Sequence, residues 1–314
     1  MYWLRKFFAM LLTLGLVTMA TFFTFYLLPG DPAALILGTE ADPEALELLR
    51  SQLGLDRPLL AQYSSWLQGV LRGDLGSSIT FSRGYPVSSL ILDALPVTIP
   101  LALLSIGISL ALGVVLGTVA AVNRGAGSFI IQYLSQLSLS LPAFWLGILL
   151  IQWLAVGLGW FPPSGIPRWS ADPAGAMLSL VLPAITLSLP RTAVLTRTVR
   201  SALQETLRED YIRTARSKGL PEKTVIFSHA LRNALVSVST VTGIQLIQLI
   251  AGTIVVEQVF SLPGLGRLML AAVLLRDLPL VQGTVFVGAA LIIVVNFLLD
   301  SLYPWLDPRV RVER

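Results

Sequence analysis

The sequence predicts an all-α polytopic membrane protein with six transmembrane helices, and three observations carry that fold class. Of 314 residues, 54% are hydrophobic and 13% charged, against roughly 25% charged in an ordinary soluble domain. The mean hydropathy is +0.76, so a water-soluble globule of this composition would lack the charge to cover its surface. Asp, Glu, Lys and Arg are missing from six long windows: residues 7–30, 94–123, 125–167, 173–190, 233–256 and 278–299. A helix of about 20 apolar residues crosses a bilayer core, where the backbone must satisfy its own hydrogen bonds. The absence of Cys excludes disulfides, thiolate metal sites and thiol nucleophiles, and the single His229 excludes a zinc site built from several imidazoles.

In the first window, Arg5 and Lys6 precede an apolar run that ends at Pro29-Gly30-Asp31-Pro32. The run exceeds the roughly 7 to 15 residues of a signal-peptide core and lacks a small-x-small cleavage site, so residues 1–30 read as a retained anchor. Residues 31–95 form an outer, periplasmic segment with eight acidic and four basic residues. Within it, Asp42 reads as an N-cap with Pro43 at the first helical position. Gly54-Leu-Asp-Arg-Pro reads as a stop and turn, and Leu59 to Leu71 as an amphipathic helix.

Gly113 and Gly117 give the second span a G-x-x-x-G face for close packing. The third window holds Gln132, Ser135, Gln136, Ser138, Ser140 and Pro142 and closes on Trp160-Phe-Pro-Pro-Ser-Gly. It reads as one long span over roughly 129–157, followed by an interfacial loop. The fourth span covers 173–190. In the fifth, Gln245 and Gln248 share a face with Thr240, Thr242 and Gly243 near them; Asn296 lies in the sixth and Gln152 in the third. Amides at membrane depth face a partner or a watery path. Interhelical hydrogen bonding is the commoner use, and Gln245, Gln248 and Asn296 are the candidates for lining a pathway. Glu257 and Asp300 sit near span ends, where snorkelling to the interface is cheap.

Six spans place both termini on one side, which collects fifteen of the basic residues, Arg191, Arg197 and Arg200 among them, against seven on the other. Positive charge marks the cytoplasm, so both termini are expected inside. The net charge of +4 is then mostly a topology signal, with no call for nucleic acid; lipid is the surrounding partner.

The inner segment 191–232 is the most informative stretch. Ser201 to Ser217 reads as a polar helix with Glu205 and Glu209 at i,i+4; Gly219 breaks it, and Pro221 opens a second short helix. Two short helices hinged at a glycine under the membrane suit docking into a partner's groove, or are simply a solvated charged loop.

Asp210-Tyr-Ile-Arg-Thr-Ala-Arg-Ser-Lys-Gly-Leu-Pro followed by Phe227-Ser-His-Ala-Leu-Arg-Asn-Ala-Leu resembles the cytoplasmic signature loop of binding-protein-dependent ABC importer permeases. The general signature is E-A-A-x-x-x-G then I-x-L-P. Gly219 and Ala215 match it; Arg213 stands at the Glu position and Thr214 at the first alanine, and of His229, Leu231 and Arg232 only the Leu matches. These departures resemble the dipeptide/oligopeptide branch. Leu28-Pro-Gly-Asp-Pro, Gly54-Leu-Asp-Arg-Pro, Gly73-Asp-Leu-Gly-Ser, Phe260-Ser-Leu-Pro-Gly-Leu-Gly-Arg and Asp277-Leu-Pro-Leu-Val-Gln-Gly resemble it too, in the expected order.

The resemblance implies the transmembrane-domain fold of a type I ABC importer, with a five-helix core over 96–314 and a coupling loop over 197–232. It implies a permease subunit that moves a peptide or related small solute across a bacterial plasma (inner) membrane and hydrolyses nothing. Asp210, Tyr211, Arg213, Thr214, Ala215, Lys218, Gly219, Leu220, His229, Leu231 and Arg232 would form the loop that docks on an ATPase. The implied partners are a second, similar permease (a heterodimeric one in preference to a homodimer), two ATP-binding subunits holding ATP and Mg, and an extracytoplasmic solute-binding protein; no cofactor is expected on this chain. The sequence agrees in lacking G-x-x-x-x-G-K-[ST]. An ion-coupled secondary carrier is the alternative, but no ionisable group stands at a window centre. An intramembrane hydrolase would need His229, which the topology puts in the loop.

Overall fold

The computed structural model describes residues 2–27, 32–37, 42–52, 54–123 and 125–306. Residues 28–31, Arg124, Arg309, Arg311 and Arg314 lie outside the described residues, as does the Asp300 side chain. The described elements are helices, with one isolated antiparallel bridge between Ser77 and Pro86. In order they are α1 (Tyr2–Leu27), α2 (Pro32–Leu37), α3 (Pro43–Gln52), α4 (Leu59–Leu71), α5 (Val87–Val122), α6 (Ala126–Ser140) and α7 (Ala143–Leu150). Then come α8 (Pro173–Thr206), α9 (Asp210–Ser217), α10 (Glu222–Thr224), α11 (Leu231–Val259), α12 (Leu265–Leu274) and α13 (Leu278–Leu306). Helices α7 and α10 each run on as a π-helical stretch, over Ile151–Gly157 and Val225–Ala230.

Five described helices are long and apolar enough to cross a membrane, and the α6–α7 pair makes a sixth crossing if it counts as one span. The one long span expected over roughly 129–157 is two helical arms bent by 103°. The cause is Leu141-Pro142. Pro142 has no N–H for the helical ladder and its ring pushes Leu141 out of the α region, where φ is −90° and ψ 131°.

The chain divides into two compact units, and the division falls inside α5, after Val97. In the unit of residues 1–97 and 263–297, Leu75, Val87, Ile91, Leu265, Leu280 and Val281 form an apolar core. Asp277 lies buried beside it. One carboxylate oxygen, Oδ2, accepts from the Ser78 hydroxyl at 2.5 Å and from the N–H groups of Ile79, Thr80 and Phe81 at 3.0 Å each. Its other oxygen caps α13 through the Leu280 N–H at 3.2 Å. The helices of the 31–95 segment follow the sequence reading in their bounds: α3 begins at Pro43, with Asp42 Oδ1 accepting from the Glu44 N–H, and α4 spans Leu59 to Leu71.

The unit of residues 98–262 and 298–314 is built on α8, whose apolar window is 61% buried, against 11–33% for the other four single-helix spans among the described residues. The G-x-x-x-G face of α5 packs on it. A Cβ on Gly113 would stand 2.6 Å from the Leu195 Cβ, and one on Gly117 equally close to the Val199 Cβ. Arg191 is not in a loop but midway along α8, half-buried, with its guanidinium donating to the Leu187 carbonyl at 2.7 Å. Glu257 does not snorkel. It is fully buried and accepts from the Thr98 hydroxyl at 2.8 Å; at 0% exposure, pairing is what makes its burial tolerable.

Candidate functional site

The expected polar helix over 201–217 is two helices. α8 ends at Thr206, the chain turns through Leu207, Arg208 and Glu209, and α9 starts afresh at Asp210. Glu209 therefore stands outside both, and its i,i+4 relation to Glu205 is lost. The break has a packing cause. On α9, Ile212 (0% exposed) and Ala215 (6%) lie i,i+3 on one face and enter an apolar cluster with Leu195, Val199, Leu203, Val225, Leu231 and Val238. A continuous helix would carry these two residues away from that cluster.

The opposite face of α9 is presented. Tyr211, Arg213 and Thr214 are exposed, as are Asp210 and, past the helix, Lys218, Gly219 and Leu220. The Arg213–Asp210 ion pair, 3.8 Å long and almost fully exposed, adds next to nothing to stability. Gly219 has φ +76°, the left-handed conformation that closes a helix on glycine, and an added Cβ there would meet open space. The glycine is required by the turn and not by any neighbour in this chain.

Two side-chain links fix the loop. Across the Gly219 turn Arg216 meets Glu222 in two hydrogen bonds, 2.6 and 3.2 Å, and this partner holds the Glu222 carboxyl below the usual carboxylate range. The Asn233 amide donates to the Tyr211 hydroxyl at 2.6 Å and ties α9 to the start of α11. Of the remaining loop residues, His229 is half-buried, Leu231 is buried and Arg232 is exposed. A polar groove of about 550 Å³ runs where α8 meets α9, lined by Ser201, Gln204, Glu205, Arg208, Glu209 and Asp210.

Sequence reasoning missed Ile212, the exposed Phe227 and both side-chain links. Ile212 was findable, because an Ile and an Ala three apart in a charged run are the anchoring stripe of a short amphipathic helix. Of the pathway candidates, Gln245 is half-buried and Gln248 exposed, i,i+3 on α11, and Asn296 is exposed on α13.

Two family models match. Residues 1–102 match the N-terminal part of binding-protein-dependent transport system membrane components, and residues 113–312 match the binding-protein-dependent transport system inner membrane component. A putative peptide transport system permease protein of Brucella abortus (strain 2308) is 47% identical over 299 residues, 95% of each chain. The glutathione transport system permease protein of Pectobacterium atrosepticum is 40% identical over 313 residues, 99% of each chain. Its counterpart from Escherichia coli O6:H1 is 38% identical over the same length.

Proposed function

Because this chain belongs to the family of binding-protein-dependent transport system inner membrane components, we propose that it forms half of a peptide-conducting pathway and couples it to ATP through α9. The family's members are permease subunits of ABC importers, and ATP hydrolysis lies with separate ATPase subunits working with a solute-binding protein. The peptide substrate is inferred from relatives named for peptide and glutathione transport at 38–47% identity over nearly the whole chain.

The observation that carries the coupling role is the split character of α9. Ile212 and Ala215 root it in the apolar cluster under α8 and α11, while Tyr211, Arg213, Thr214 and Leu220 face outward. A push on the exposed face therefore reaches α8 and α11 through packed side chains. Lys218 follows α9 and is exposed, as is Arg232 at the start of α11; His229 before it is half-buried, and Leu231 packs in the same cluster as Ile212 and Ala215. In the assembly, two ATPase subunits hold ATP and Mg, and a second, similar permease completes the pathway. Both termini and α9 face the cytoplasm, with 31–95 outside. Gln245, Gln248 and Asn296 turn toward the solute.

The test is Gly219→Trp in the complex purified from the chain's own operon. A co-purifying ATPase whose activity responds to binding protein and peptide in wild type, and is lost or uncoupled in the variant, supports the reading. A chain that purifies alone, indifferent to the bulky residue, overturns it and reopens ion-gradient transport.

A further inference from the structure

The unit of residues 1–97 and 263–297 contains a cavity of about 310 Å³ to which peptide transport assigns nothing. Its wall brings together Arg57, Trp66, Asp74 and Gln282, with Phe22 and Leu278 supplying apolar surface. Gln282 is 5% exposed, and its Nε2 group and the indole Nε1 of Trp66 are buried donors without an acceptor among the described residues. Folded proteins leave few such groups unsatisfied, and here two of them line one cavity. The Trp66 ring is held between Tyr63 and Phe286, with centroids 6.2 and 6.3 Å away, so packing fixes the direction of its N–H.

Two N–H donors and a guanidinium select an oxyanion. Asp74 refines the choice. One of its oxygens accepts from the Gly76 N–H at 2.8 Å, but its charge has no cation paired to it there and would repel a lone anion. We propose that this cavity binds a zwitterion in which an oxyanion lies beside an ammonium group. The oxyanion accepts from Trp66, Gln282 and Arg57, and the ammonium stands at Asp74. An aminoethyl-phosphate lipid headgroup and a free amino acid or short peptide share this chemistry. The site goes beyond the transport reading and does not depend on it, since none of its lining residues belongs to α9.

The test uses the full chain in its purified complex. Phosphatidylethanolamine and phosphatidylglycerol nanodiscs, with retained lipid counted by native mass spectrometry, probe the membrane source. Titration with glycylglycine, phosphoethanolamine and inorganic phosphate probes the soluble one. A zwitterionic probe is expected to bind wild type, with Trp66→Phe and Gln282→Leu each weakening it about tenfold, the loss of one charge-assisted hydrogen bond. Retained phosphatidylethanolamine without glycylglycine binding assigns the lipid, the reverse assigns the small solute, and either upholds the site. No zwitterion bound by wild type, or equal binding in both variants, overturns it. Should those variants misfold, Asp74→Asn on an exposed side chain decides: its preference must shift from phosphoethanolamine toward inorganic phosphate, and an unchanged preference overturns the proposal. Gly219→Trp leaves this binding intact even where it abolishes transport, so the two readings fail separately.

Discussion

At Gly117 an added Cβ would lie 2.6 Å from the Val199 Cβ and 2.7 Å from the Thr196 carbonyl oxygen, and neither atom can retreat without displacing α8. Gly117→Ala is therefore expected to destabilise the detergent-solubilised chain by about 1–3 kcal/mol, the cost of overpacking a close helix contact, read as a lowered thermal midpoint. At Gly219 the surroundings are empty and the backbone angle is the constraint. Gly219→Ala should cost only about 1–2 kcal/mol of local strain and leave ATPase coupling in place, separating conformation from the bulk tested by Gly219→Trp. Coupling lost equally in Gly219→Ala would assign the glycine's role to the turn alone. The close-packing glycines were legible in the sequence because G-x-x-x-G is a local pattern. Glu257 was not: a carboxylate at a span end looks cheap to hydrate, and its burial depends on Thr98, 159 positions away.

Within the elements, the two arms at Pro142 make a geometric prediction. At 1.5 Å per residue each arm is about 20 Å long, so spin labels at Gly127→Cys and Val156→Cys should lie about 26 Å apart, against about 43 Å for a straight helix. The chain has no cysteine of its own, which makes the pair of labels unambiguous. A distance distribution centred near the longer value would remove the bend. Pro142 stood in the sequence as a visible signal, but a proline inside an apolar run can kink a span mildly or fold it over, and the neighbouring packing chooses. The break at Leu207 had no proline to announce it; burial of Ile212 and Ala215 overrode the helical propensity of the charged run. Across the next turn, Glu222 is held below the ordinary carboxylate range by its hydrogen bonds from Arg216. A depressed carboxyl contributes stability that is present above its unfolded-state range and disappears as pH falls through its lowered folded value. With side chains 44% and 55% exposed, the pair contributes at most about 1 kcal/mol. Protection of the amides across this turn, taken as the exchange rate relative to the intrinsic rate at each pH, should thus fall on acidification below about pH 4 and should not fall in Glu222→Gln; an equal fall in that variant would take the effect away from this pair.

For the whole chain, the orientation rests on charge. Arg191, Arg197 and Arg200 lie within α8, so they weigh less in a rule that counts loops; with six crossings, twelve basic residues would still stand on the side of the termini against seven on the other. The asymmetry, and with it the assignment of α9 to the ATPase side, can be read in cells through the missing cysteines. Ser64→Cys on α4 and Lys223→Cys on α10 are both exposed positions. An impermeant maleimide should label Ser64→Cys in intact spheroplasts and Lys223→Cys only after permeabilisation. The reverse pattern would place α9 outside, out of reach of any ATP-driven partner, and the coupling role would fall with it. Labelling of both positions before permeabilisation would deny that the spans between them cross the membrane an odd number of times. The expected pattern puts the segment carrying α3 and α4 where a solute arrives and α9 where ATP is hydrolysed, the separation a binding-protein-dependent importer requires.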